Sequence, residues 1–148
     1  MDEDRILRRR LSDLSAELRS RRGPEGTLSF QETLGHIAYW DSFTVDFFTA
    51  KLDGAGPSPV PPADLARLSE DAVAEAARAP FADVLAHYLE ATGALIAFIS
   101  RRWDELSEKE RNDFQVPLKH RRHHREALFQ WLDTVKREGR DRERADGA

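Results

Sequence analysis

The sequence predicts an all-α protein, a four-helix bundle with short extra helices in its connections. Three observations predict it. Apolar residues recur at spacings of three and four in four long segments, as they do along one face of a helix. No stretch alternates apolar and polar residues in the manner of a half-buried strand. Gly and Pro collect between the periodic segments, where they punctuate the chain. At 148 residues the chain has the size of one domain, long enough to bury ~68% of the surface its unfolded form exposes. The bundle is expected over residues 1–138, with 139–148 as a polar, disordered tail.

Leu7, Leu11, Leu14 and Leu18 form one stripe, so Asp2–Arg22 predicts the first helix. Acidic Asp2, Glu3 and Asp4 suit its positive end, Arg19, Arg21 and Arg22 its negative end, and Gly23-Pro24 stops it. Arg8, Arg9 and Arg10 read as a solvated face. Ser29 and Glu32 make a capping box that opens a second helix, running to about Lys51. That helix is apolar on two sides. Phe30, Leu34, Ile37, Val45 and Phe48 form one stripe; Trp40, Phe43 and Phe47 form the other, with His36 at its head. A helix apolar on two sides is buried on both or covered by a partner chain, which predicts a homodimer. Residues 53–62 hold two Gly and four Pro and predict a loop. Asp64–Ala79 predicts a short helix, or two turns of one, with Ser69 as a candidate internal cap. Pro80 ends it and suits the first position of the third long helix, Phe81 to about Trp103. His87 lies off that helix's inward face. Ser107 with Glu110 caps another short turn, Pro117 opens the last helix, and Gly139 ends it after Glu138.

Composition excludes several chemistries. With no cysteine there is no disulfide and no protein thiol nucleophile, so any thiol chemistry takes its thiol from outside. A net charge of -4 offers nucleic acid no basic surface. No apolar run approaches the ~18 residues of a membrane span. The N-terminus lacks a signal-peptide pattern, so a cytoplasmic location is the default expectation.

The histidines carry the chemistry. Three of the five stand at 120, 123 and 124. On a helix, His120 and His124 share a side. Rotation of ~100° per residue from the Leu128–Trp131–Leu132 stripe points His124 inward, puts His120 at the edge, and turns His123 to solvent. Two imidazoles one turn apart can bind one divalent metal; the same residues, with Arg121, Arg122 and Arg125 around them, also read as a basic, solvated face. His36 is the candidate third ligand. Three neutral imidazoles with one open position make the ligand set of a catalytic zinc-type site, which nickel or ferrous iron also accepts. Trp40 and Phe43 would line a substrate pocket beside it. No general base stands out, since Asp41 lies on the other side of its helix from His36.

Leu34-Gly35-His36-Ile37-Ala38-Tyr39-Trp40-Asp41 in the second helix, followed by His120-Arg121-Arg122-His123-His124 in the last, resembles the DinB-like (YfiT-like) superfamily of four-helix bundles. The resemblance covers roughly residues 1–138 and rests on one His early in the second helix and an HxxxH at the start of the fourth. It implies a three-histidine divalent metal site, commonly zinc or nickel, and a homodimer. It also implies transferase or isomerase chemistry in which the metal activates a low-molecular-weight thiol such as bacillithiol or mycothiol, or a hydrolytic variant using water. A non-catalytic, metal- or ligand-binding stress-response module is the alternative that the resemblance leaves open.

Overall fold

A computed structural model describes residues 28–54 and 62–147, together with the single positions Arg5, Arg9, Arg19 and Arg21. The described residues form an all-α four-helix bundle: α1 (Phe30–Leu52), α2 (Pro62–Arg78), α3 (Phe81–Arg102) and α4 (Glu108–Asp146), with a 3-10 turn at Trp103–Glu105 before α4. Apart from its single arginines, the helix expected over Asp2–Arg22 lies outside the described residues.

The central element is α1, which packs against each of the other three helices. Its start follows from the capping box: Ser29 Oγ accepts from the Glu32 amide, and the Glu32 carboxylate accepts from the Ser29 amide, both at 3.1 Å. Its end follows from Gly54, whose φ of 75° is left-handed backbone that a residue without Cβ adopts freely. Phe30, Leu34, Ile37 and Phe48 of the first apolar stripe are all buried. They divide between two apolar clusters. Phe30, Leu34 and Ile37 join Val84, Tyr88, Leu89, Leu128 and Leu132 at one end. At the other, Phe48 joins Leu95, Phe98, Leu106 and Phe114.

Three boundaries differ from the sequence reading. First, α2 is a continuous helix of 17 residues that starts at Pro62, two residues before the expected Asp64–Ala79 and with no break into separate turns. Its buried positions, Ser69 and Ala76, are small and let the helices approach closely. A Cβ on Gly35 of α1 would collide with the Cβ of Ala76 of α2. The Gln31 side-chain amide then reaches across to donate to the Ala76 and Ala79 carbonyls at 2.7 and 2.6 Å, satisfying backbone acceptors at the end of α2. Second, α4 begins at the Ser107–Glu110 capping box and runs through Pro117. A proline removes one intrahelical bond, here to the Asp113 carbonyl, but its fixed φ is helical; a well-capped first turn upstream makes the interior position tolerable. Third, α4 continues past Gly139 to Asp146. An exposed interior glycine costs only ~1 kcal/mol, and glutamates and arginines spaced three and four apart offset part of that.

The stretch Phe81–Glu105 reaches a mean hydropathy of 1.3 over 18 residues, long and apolar enough by composition to cross a membrane. This departs from the expectation that no run approaches that length. In the bundle its Val84, Tyr88, Leu89, Leu95 and Phe98 are buried, while Ile96 of the same helix is 52% exposed.

The Gly35–Ala76 contact is directly testable. Gly35→Ala should destabilise the fold by ~1–3 kcal/mol through overpacking, despite the ~1 kcal/mol by which helices favour Ala over Gly. Combined with Ala76→Gly, the two substitutions should couple favourably by more than ~0.5 kcal/mol in a double-mutant cycle of urea denaturation. Simple additivity would mean that α1 and α2 are not held at this distance.

Candidate metal centre

The first turns of α1 and the middle of α4 bring His36, His120 and His124 together, with one ligand atom of each within 4.8 Å of the others. The ring centroids lie 5.5 Å (His36–His120), 4.9 Å (His36–His124) and 4.4 Å (His120–His124) apart. The Nε2 atoms of His120 and His124 stand 2.9 Å from each other. His36 and His124 are half-buried and His120 is exposed, so the cluster sits at the surface end of a cleft. His123 is exposed, its ring 5.6 Å from that of His124, and is not among the clustered donors. His87 is exposed in a different groove, beside Gly35 and Tyr39. Three neutral imidazoles converging this closely are a donor set that a single divalent ion can bridge.

The helix α2 supplies a further residue. Ser69 of α2, read from sequence as a cap, is 9% exposed and places its Oγ 3.5 Å from His36 Nδ1, the outer edge of hydrogen-bond reach. In the tautomer with the proton on Nδ1, His36 donates to Ser69 and leaves its Nε2 lone pair for a metal. The signal was present in helical phase, since Ser69 and Ala76 are seven residues apart on one face.

Beside the cluster lies a cavity of about 920 Å³ that His36 and His120 line at one side. Trp40 and Phe43 both wall it, with Phe47 beyond them. The second apolar stripe of α1 therefore faces this cavity. Glu70 and Asp113 supply its carboxylates.

Arg121 departs most from the sequence reading. Expected on a solvated basic face, its side chain is only 13% exposed. Its Nε donates to Asp41 Oδ2 at 2.9 Å, and its NH2 group donates to Thr92 Oγ1 at 2.8 Å, tying α4 to α1 and α3. The reason is register. Arg121 falls midway between buried Phe114 and Leu128, seven residues from each, and Asp41 falls likewise between Leu34 and Phe48. Each occupies a core position of its helix. Burial pushes the Asp41 carboxyl above its ordinary range, and the Arg121 charge and hydrogen bond oppose that rise without cancelling it. Tyr88 lies in the same layer, its phenol likewise pushed up by burial.

Comparison with protein-family models, with curated proteins and with solved structures finds no match for this chain. The class stands on the described residues: an all-helical, four-helix protein with three histidines placed to hold a metal ion.

Arg121→Met should cost ~3–5 kcal/mol, because it leaves a buried carboxylate uncompensated. The pH dependence follows from the raised Asp41 pKa. The folded state holds the proton more tightly than the unfolded chain, so this group's contribution is present below the ordinary aspartate range and is lost as pH rises through the folded value. Removing Arg121 removes the two opposing causes and pushes the pKa higher. Denaturation of metal-free protein should therefore show the variant's deficit growing as pH rises above the ordinary aspartate range. A deficit independent of pH would place Asp41 in contact with solvent.

Proposed function

We propose that this chain is a DinB-like metalloprotein in which His36, His120 and His124 hold one divalent ion, zinc or nickel, for transfer chemistry on an electrophilic small molecule. The observation that carries the reading is the convergence of these three donors at the side of a cavity. A bound ion of this kind supplies Lewis acidity, which makes a low-molecular-weight thiol or a water nucleophilic at neutral pH. The chain's own residues do the rest. Ser69 holds the His36 ring in one tautomer. Trp40 and Phe43 receive the apolar part of the substrate and orient its reactive end toward the histidines. Neither Asp41, which is engaged by Arg121, nor any thiol of the chain competes for the reacting centre. The absence of cysteine is in keeping with a thiol brought in as cosubstrate.

Metal analysis of untagged protein tests the ligand set. His36→Ala, His120→Ala and His124→Ala should each lose the metal, whereas His123→Ala and His87→Ala should keep it. Ser69→Ala should retain metal but bind it ~10-fold or more weakly, as loss of a ligand's orienting partner usually does. Loss of metal in His123→Ala with retention in His120→Ala would overturn the assignment. Turnover is tested by screening metal-loaded protein against epoxides and activated halides with and without added thiol.

Chelation tests what the metal does for the fold. The apolar clusters are built without it, so stripped protein should stay helical at room temperature by circular dichroism. Its melting temperature should fall by several degrees. A ligand at 100 times its Kd adds ~2.7 kcal/mol, and a domain of this size shifts by ~2–4 °C per kcal/mol. Outright unfolding on chelation would favour a structural metal and a non-catalytic binding module.

A further inference from the structure

The cavity beside the histidines has a chemical bias that the metal reading does not require. We infer that its ligand is a neutral, elongated, apolar molecule, an alkyl or aryl chain with its polar reactive end at the histidine cluster; this deepens the reading above and rests on it only for the position of the reactive end. Two independent observations point there. The first is the wall. Trp40, Phe43 and Phe47 form a continuous ladder along α1, with ring centroids 5.6 Å apart between Trp40 and Phe43 and 6.2 Å between Phe43 and Phe47. Opposite them α4 presents Val116, 69% exposed, the most exposed large hydrophobic among the described residues. At ~1.5 Å per residue, the run from His36 to Phe47 extends ~16 Å. That suits an extended chain better than a compact polar metabolite.

The second is the charge at the rim. Among the described residues two lysines line the cavity, Lys51 and Lys109, and both are paired. Lys51 Nζ stands 3.7 Å from a Glu110 carboxylate oxygen, and Lys109 Nζ lies 2.8 Å from Asp113. Glu70 adds another carboxylate to the lining. Along the ladder, away from the histidine end, an anionic group therefore meets no lysine among the described residues that is not already paired, and would give up hydration without a partner. A neutral chain loses nothing and gains by leaving water.

The test is a homologous series of straight-chain 1-alkanols, butanol to decanol, titrated into the full-length protein by calorimetry and by tryptophan fluorescence. Both the metal-loaded and the chelated forms are used, so loss of the metal site and loss of the apolar site give different results. Affinity should rise about fourfold per methylene until the ladder is filled, in both forms. Octanoate should bind the chelated form at least fivefold more weakly than octanol. Val116→Asp, at an exposed position that tolerates the change, should weaken octanol at least tenfold, while Val116→Leu should not. Trp40→Phe should abolish the fluorescence response while calorimetric binding persists, which locates the chain. No dependence on chain length, octanoate binding tighter than octanol, or full affinity in Val116→Asp would each overturn the inference. So would an alkanol affinity that falls as protein concentration rises through a dimerisation transition, because the ladder would then be covered by a second copy of the chain.

Discussion

The ion pair between Asp41 and Arg121, extended to Thr92, is the constraint on which the rest of the structure depends. Apolar contacts are non-directional, and helices packed by small and aliphatic side chains can slide by a turn at modest loss. Three polar residues, each in an otherwise apolar stripe of α1, α3 or α4, leave one register in which they meet. Sliding α4 by one turn would move Arg121 ~5.4 Å from its partners and strand two buried charges, at a cost of several kcal/mol. His120 precedes Arg121 directly, and His124 follows it by three residues. The register that satisfies Arg121 is therefore also the one that brings both histidines to His36. The clamp is built from residues other than the three histidines, yet it determines where two of the three candidate donors stand.

Much of this was legible in the sequence, and the parts that were not share a cause. Both capping boxes, the apolar stripe Phe30–Leu34–Ile37–Phe48 and the phase that separates His123 from His120 and His124 follow from spacing alone, and the structure shows them. Arg121 and Asp41 were not legible because a charged residue in a stripe reads as the edge of that stripe unless its partner on another helix is known. Ser69 was missed for the same reason. Its hydroxyl is a cap by local rules and a neighbour of His36 only in three dimensions. The continuity of α4 was missed because Pro117 and Gly139 are strong punctuation in isolation. Local signals there are outweighed by a good cap upstream and by tertiary packing.

The cavity is where the double stripe of α1 shows its second side. One apolar face meets the core, and the other, at Trp40, Phe43 and Phe47, faces open volume. A helix with two apolar faces thus gives the protein an apolar-walled cavity without any added loop or insertion.

The layered interior has a consequence for how such a chain can drift over time. The two apolar clusters lie on either side of the layer that holds Asp41, Thr92 and Arg121. Residues in different clusters share few partners, and well-separated substitutions act nearly independently. Each end can exchange Leu for Met or Ile for Leu with little effect on the other, because volume-conserving swaps are well tolerated. The middle layer has no such freedom, since changing one member strands the others. Descendants of this chain would keep the polar layer and the histidines while the ends diverged, leaving related molecules hard to align by overall identity.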